Sequence, residues 1–153
     1  MGSEQSKQLV DGIVVVLLGR TGAGKSTLGN VLLGLDPDEG TAFATKAGFD
    51  SCTAETTFKT GHWLGNEECP TFTMVDTPSF SDCKSRDSKH WKKMVKVLKE
   101  DVGAVHVFLW VMRADARFEE IDREYFKLFS DVFGKEEFQK RLVMVWTQSV
   151  PNI

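Results

Sequence analysis

Two kinds of apolar segment alternate along the chain. Ile13 to Leu18, Phe72 to Val75, Val105 to Met112 and Leu142 to Trp146 are short and apolar almost throughout, as expected of strands buried on both faces of a parallel sheet. Between them lie segments with helical character. Lys25 to Leu33 is one. In Ser88 to Val102, Trp91, Met94, Val95, Leu98 and Val102 share one helical face. In Glu119 to Phe133, Ile121, Tyr125, Leu128, Phe129 and Val132 do the same, and Gly134 ends the helix. Thr53 to Leu64 is β-rich and partly alternating, followed by a Gly65-Asn66 turn. Gly34 to Cys52 and Thr77 to Asp87 lack periodicity and read as loops. Strands alternating with helices predict a three-layer α/β fold, a mostly parallel sheet with helices on both faces. Ligands bind such sheets at the carboxyl ends of the strands. Gly19, Asp76, Arg113 and Thr147 follow those ends.

The first strand-to-helix turn carries the strongest chemistry. Gly19-Arg20-Thr21-Gly22-Ala23-Gly24-Lys25-Ser26 fits G-x-x-x-x-G-K-[ST], the phosphate-binding P-loop, in the strand–loop–helix context the motif needs. Loop amides and the helix N-terminus would face phosphate oxygens. Gly22 and Gly24 allow backbone angles that other residues resist. Lys25 would reach the β- and γ-phosphates and Ser26 would hold Mg²⁺. Asp76-Thr77-Pro78 follows a strand about fifty residues later, where a carboxylate would bind the same Mg²⁺, through water. The long loop should supply a threonine that senses the γ-phosphate, with Thr53, Thr56 and Thr57 as candidates.

Composition changes this picture little. The chain has 153 residues, 41% hydrophobic and 27% charged, which suits one globular domain. A net charge of −3 gives no reason to expect a nucleic-acid partner. Cys52, Cys69 and Cys83 are too far apart for a zinc pattern, and an odd count without a signal peptide suits reduced thiols in a cytoplasmic setting. Met1-Gly2-Ser3-Glu4-Gln5-Ser6 matches the myristoylation pattern, on a tail expected to be flexible over residues 1–11; an expression scar would read the same way. Modified Gly2 would give marginal membrane contact alone. The lysines 89, 92, 93, 96 and 99 make a basic helix face, a solvated surface or the second signal for anionic lipid. His62, His90 and His106 form no ligand spacing. His106, inside an apolar run, reads as a core histidine, and Trp63, Trp91, Trp110 and Trp146 as core or interface residues.

The chain resembles the GIMAP-type (immunity-associated, septin-like) GTPases. The resemblance rests on Gly19 to Thr27 with Gly29-Asn30 and Leu33-Gly34, then Ser51-Cys52-Thr53, Asp76-Thr77-Pro78, Arg117-Phe118, Phe133-Gly134-Lys135-Glu136 and a strand ending at Thr147. It implies a P-loop NTPase G domain over residues 12–153 that binds GTP and GDP with Mg²⁺. It also implies Thr53 as the switch threonine, acting with Lys25 in catalysis and with Ser26 and Asp76 at the metal. Nucleotide contacts are then expected from Gly19, Arg20, Thr21, Gly22, Ala23, Gly24, Lys25, Ser26, Thr27, Asp76, Ser79, Thr147 and Gln148. The resemblance further implies self-association across the nucleotide face.

Three departures qualify it. Ser79 stands where the family has glycine after Asp76-Thr77-Pro78. Thr147-Gln148-Ser149-Val150 occupies the base-reading position without a carboxylate. The sequence stops at Ile153, before the sixth strand and last helix expected of this fold, so the G domain is expected to be incomplete. The expected function is a GTP/GDP switch with slow hydrolysis, because Phe80 replaces any water-positioning glutamine after Ser79. The alternatives are a non-hydrolysing, nucleotide-dependent scaffold at membranes and an ATP-using P-loop enzyme.

Overall fold

The structure, a computed structural model, describes residues 12–20, 22–36, 43, 56–78 and 89–148. In chain order these form β1 (Ile13–Gly19), α1 (Lys25–Leu33), β2 (Thr57–His62), β3 (Thr71–Asp76), α2 (Lys89–Lys96), β4 (Val107–Arg113), α3 (Glu120–Phe133), α4 (Lys135–Arg141) and β5 (Leu142–Thr147). A 3-10 turn at Trp63–Gly65 follows β2, and a π turn at Val97–Val102 extends α2. The five strands lie in the order β2-β3-β1-β4-β5. Three pairings are parallel, and β2 runs antiparallel to β3.

Side chains of the central strands alternate between two cores. Val14, Val16 and Leu18 of β1, with Phe108, Trp110 and Met112 of β4, face Trp91 and Met94 of α2, Leu98 of the π turn, Tyr125 and Phe129 of α3, and Phe138 of α4. Aromatic rings fill this layer: Phe108 lies with its centroid 5.0 Å from those of both Phe133 and Phe138. Edge-to-face pairs of this kind add about 1 kcal/mol each beyond burial. On the opposite face, Leu17, Met74, Leu109 and Val111 pack under α1 with Leu33 and Phe43. The three-layer fold is therefore present, with helices on both faces of the sheet.

Phe43 is the one described residue between 37 and 55, and its hold on the fold is specific. The Asn30 side chain, 1% exposed, accepts the Phe43 amide at 2.7 Å and donates to its carbonyl at 3.0 Å. The Phe43 ring fills the space against Gly29, where a Cβ would come within 3.2 Å of it. Gly29-Asn30 thus builds a socket under α1. Asn30→Ala would leave both backbone groups of Phe43 buried and unpaired, and should destabilise the fold by about 2–3 kcal/mol. Urea unfolding of the two proteins at equal slope measures this.

Several sequence-based expectations need correction. The helix α4 went unread, because Phe138 is its single buried residue and a one-residue apolar signal has no period. His106 is exposed rather than core. It precedes β4, donates its amide to the Val14 carbonyl at 2.9 Å, and its Nδ1 accepts the Val14 amide at 3.0 Å. The ring therefore prolongs the β1–β4 ladder at its solvent end. Of the four tryptophans expected at core or interface positions, Trp91 and Trp110 are core and Trp63 and Trp146 are exposed.

Candidate functional site

β1 ends at the sheet centre, and its last residue already requires glycine. A Cβ on Gly19 would lie 2.5 Å from the Val111 carbonyl oxygen, at a φ of 155°. The loop then turns through Gly22 and Gly24, at φ 77° and 90°, with the Ala23 amide donating to the Arg20 carbonyl at 3.2 Å. Gly24 caps α1 without a side-chain hydrogen bond, and the first turn contains no acidic residue. The helix N-terminus thus presents its positive dipole end with no side-chain cap and no acidic side chain of its own first turn.

Lys25, Ser26 and Asp76 converge at this end. Lys25 is 6% exposed, and its ammonium donates to the Gly19 carbonyl at 3.1 Å. Burial pushes its pKa down to about 8, against an upward pull from Asp76. Ser26 Oγ donates to Asp76 Oδ2 at 2.6 Å. Burial raises the Asp76 pKa, with the Ser26 hydrogen bond and the Lys25 charge pulling the other way. Among the described residues Asp76 Oδ1 is buried without a hydrogen-bond partner. Asp76 is fixed here because the next residue, Thr77, is buried and donates its hydroxyl to the Leu17 carbonyl at 2.6 Å, tying the exit of β3 to β1.

The remaining sequence-predicted residues divide. Ala23 is buried in the loop and Thr27 is exposed on α1. Thr147, at the end of β5, donates its hydroxyl to the Ala23 carbonyl, and its side chain lies where a Cβ on Gly24 would meet it at 3.6 Å. It buttresses the loop from behind, with its one donor already engaged. Gln148 is exposed, at a φ of 56°. The Arg20 guanidinium is drawn to α3, bonded to Asp122, which is fully buried. Thr21, Thr53 and Ser79 lie outside the described residues, as do Gly2 and its tail. Among the described residues no group of His, Cys, Asp and Glu could hold a metal by itself, and no helix is long and apolar enough to cross a membrane.

Sequence reasoning missed Asp122. It lies on the inward stripe of α3 with Tyr125 and Phe129. A carboxylate on an apolar stripe demands a cation, and that was the available signal.

A model of the AIG1 family matches residues 13–150. The chain belongs to the AIG1 family. This AIG1 domain is similar to immune-associated nucleotide-binding protein 7 of Arabidopsis thaliana, 28% identical over 122 residues covering 80% of this chain and 37% of that protein. It also superposes on Toc33 from Arabidopsis thaliana in complex with Mg²⁺ and GMPPNP, with a TM-score of 0.65 and 22% identity over 92% of this chain and 53% of Toc33. A dimerization-deficient mutant of Toc33 gives a TM-score of 0.67 at 21% identity over the same shares of each chain. The AIG1 domain described here therefore spans about half the length of Toc33, or less than half of the plant relative. The likeness to Toc33 establishes the α/β P-loop fold of a G domain.

Proposed function

We propose that this domain binds GTP and GDP with Mg²⁺, holding the nucleotide chiefly through its phosphates, and that it hydrolyses GTP slowly. The observation that carries the reading is the Ser26–Asp76 pair. A hydroxyl and a carboxylate oxygen meet at 2.6 Å beside a helix N-terminus with no side-chain cap, and among the described residues the second carboxylate oxygen is buried without a partner. Hard oxygen donors in this arrangement suit Mg²⁺, which keeps several waters and shares itself with phosphate. Ser26 and Asp76 would hold the ion, which would neutralise phosphate charge when bound. Family membership supports the same reading, as does Toc33, whose structures carry GDP or GMPPNP with Mg²⁺.

The chain's own residues then have defined tasks. Amides of the loop glycines and of the first turn of α1 receive phosphate oxygens, and Lys25 supplies a desolvated positive charge to the β- and γ-phosphates. Thr53 is assigned to the γ-phosphate and the ion by the family resemblance. Catalysis by such a site is positioning and charge neutralisation. Phe80 follows Ser79 where a glutamine could have oriented water, so turnover by one chain is slow. For Toc33, dimerization is important for GTPase activity. A second copy across the nucleotide face is the corresponding proposal here. Single-turnover hydrolysis should then quicken with protein concentration, and rates independent of concentration would remove this part of the reading.

Titration with a fluorescent GDP, with Mg²⁺ or with excess chelator, tests the proposal. Saturable binding that weakens on chelation supports it, and no binding overturns it. Competition refines it. The segment after β5 offers no carboxylate to guanine, and the Thr147 hydroxyl is engaged by Ala23. A site without that buried polar pairing loses most of its discrimination. ATP should therefore compete within about tenfold of GTP. Rejection of ATP by a much larger factor would mean that another group reads the base.

A further inference from the structure

The geometry assigns Arg20 a positioning role: through Asp122 it fixes the P-loop peptide on which Lys25 is parked, and so sets the loop for phosphate. This assignment rests on the nucleotide reading above and goes beyond it. Arg20 Nε donates to Asp122 Oδ1 at 2.9 Å, and Nη2 bonds the other oxygen, Oδ2. The pair is thus bidentate, the strongest form of a charge-assisted link. Nη2 also donates to the Arg117 carbonyl at 2.6 Å, and Nη1 stands 3.6 Å from Glu119 Oε2. Asp122 is itself held, because its Oδ2 accepts the Glu119 amide at 2.8 Å in the capping box that opens α3.

One guanidinium therefore joins three things: the second residue of the P-loop, the loop from β4, and the first turn of α3. The consequence at the site is local. The Gly19 carbonyl that accepts from Lys25 belongs to the peptide linking Gly19 to Arg20. On one side that peptide is pinned by the close approach of Gly19 to Val111. On the other it is pinned by the Arg20 side chain. Releasing Arg20 frees one side of the peptide, and with it the resting place of the Lys25 ammonium and the direction of the neighbouring amides. Binding by a preorganised loop weakens when its supporting residues are loosened.

A merely structural ion pair would lower the melting temperature and leave the folded site intact, so affinity in folded protein is the readout. Arg20→Ala, Arg20→Lys, Asp122→Asn and the double variant Arg20→Ala/Asp122→Asn are titrated with fluorescent GDP and Mg²⁺, well below each melting transition. Arg20→Ala should weaken GDP about tenfold. Arg20→Lys should recover only part of this, since an ammonium cannot reproduce the planar fork. Asp122→Asn should fall between wild type and Arg20→Ala, and the double variant should be no weaker than Arg20→Ala, because both changes open the same link. Asp122→Asn with wild-type affinity overturns the role, even if Arg20→Ala fails to fold. So does a folded Arg20→Ala that binds GDP as wild type does. In both cases wild-type binding leaves the nucleotide reading standing. Wild-type protein that binds no GDP overturns that reading and this role with it.

Discussion

Lys25→Ala should abolish measurable binding of guanine nucleotide while leaving the nucleotide-free protein about as stable as before at neutral pH. An ammonium that contacts two phosphate groups makes charge-assisted hydrogen bonds worth about 1.5–3 kcal/mol each. Their loss weakens binding by about a hundredfold or more. The stability side follows from burial. Lys25 is 6% exposed, and its pKa falls from 10.5 to about 8, with burial the leading cause. That drop corresponds to about 3 kcal/mol by which the charged side chain disfavours the folded state near neutral pH. Alanine removes this penalty, while the cavity it leaves and the lost charge beside Asp76 offset the gain.

The sign is testable in the nucleotide-free protein. Between pH 8 and 10.5 the unfolded chain holds the Lys25 proton more tightly than the folded one. Raising the pH through that window therefore favours folding of the wild type and does nothing for Lys25→Ala. Melts at neutral and alkaline pH should show the wild type gaining on the variant. A folded Lys25→Ala with unchanged GDP affinity would remove the P-loop assignment.

The contrast between Lys25 and Arg20 explains how much of the site could be read in advance. Lys25, Ser26 and the glycines act within a few residues of one another, so their spacing is the site. Asp76 was legible because it follows a strand at a strand's carboxyl end, a position that topology makes functional. The partner of Arg20 lies 102 residues away, and nothing local to Arg20 names it. The same holds for Asn30, whose partner is a backbone amide and carbonyl at Phe43. Thr147 was expected to contact nucleotide from its place after the last strand, but nothing in that spacing foretold that its hydroxyl would bond the Ala23 carbonyl of the loop.

Secondary structure failed in the same physical way. Long amphipathic segments such as α3 were legible because several apolar residues repeat on one face. The seven residues of α4 are held by Phe138 beneath and by ion pairs above, Lys140–Glu136 at 3.2 Å and Arg141–Glu137 at 3.0 Å. A charged surface with one anchor leaves no period to detect. His106 misled for the converse reason. Apolar neighbours on both sides suggested burial, but the sheet ends there and the ring replaces a missing strand residue.

Placing lysine at Val143 or at Trp146 should suppress self-association of this chain with little change in melting temperature. Among the described residues β5 pairs with β4 alone, so its other edge presents backbone amides and carbonyls. The strand reads Leu-Val-Met-Val-Trp-Thr, and three of its side chains are exposed: Val143 by 48%, Met144 by 38% and Trp146 by 56%. The register puts Val143 beside Leu109 on the α1 face, and Trp146 beside Met112 on the opposite face. Apolar area is therefore in water on both sides of an open edge. Covering it gains about 25 cal/mol per Å², and a neighbouring strand would also satisfy the edge hydrogen bonds. An apolar open edge is the feature that drives strand addition between chains, and a single lysine is how such edges are blunted. Because neither residue is buried, each substitution should shift stability by no more than about 0.5 kcal/mol. Light scattering across a concentration series, with thermal melts alongside, measures both effects. The wild type should grow beyond a dimer with concentration and the lysine variants should not. Equal behaviour of all three would show that the β5 edge drives no association.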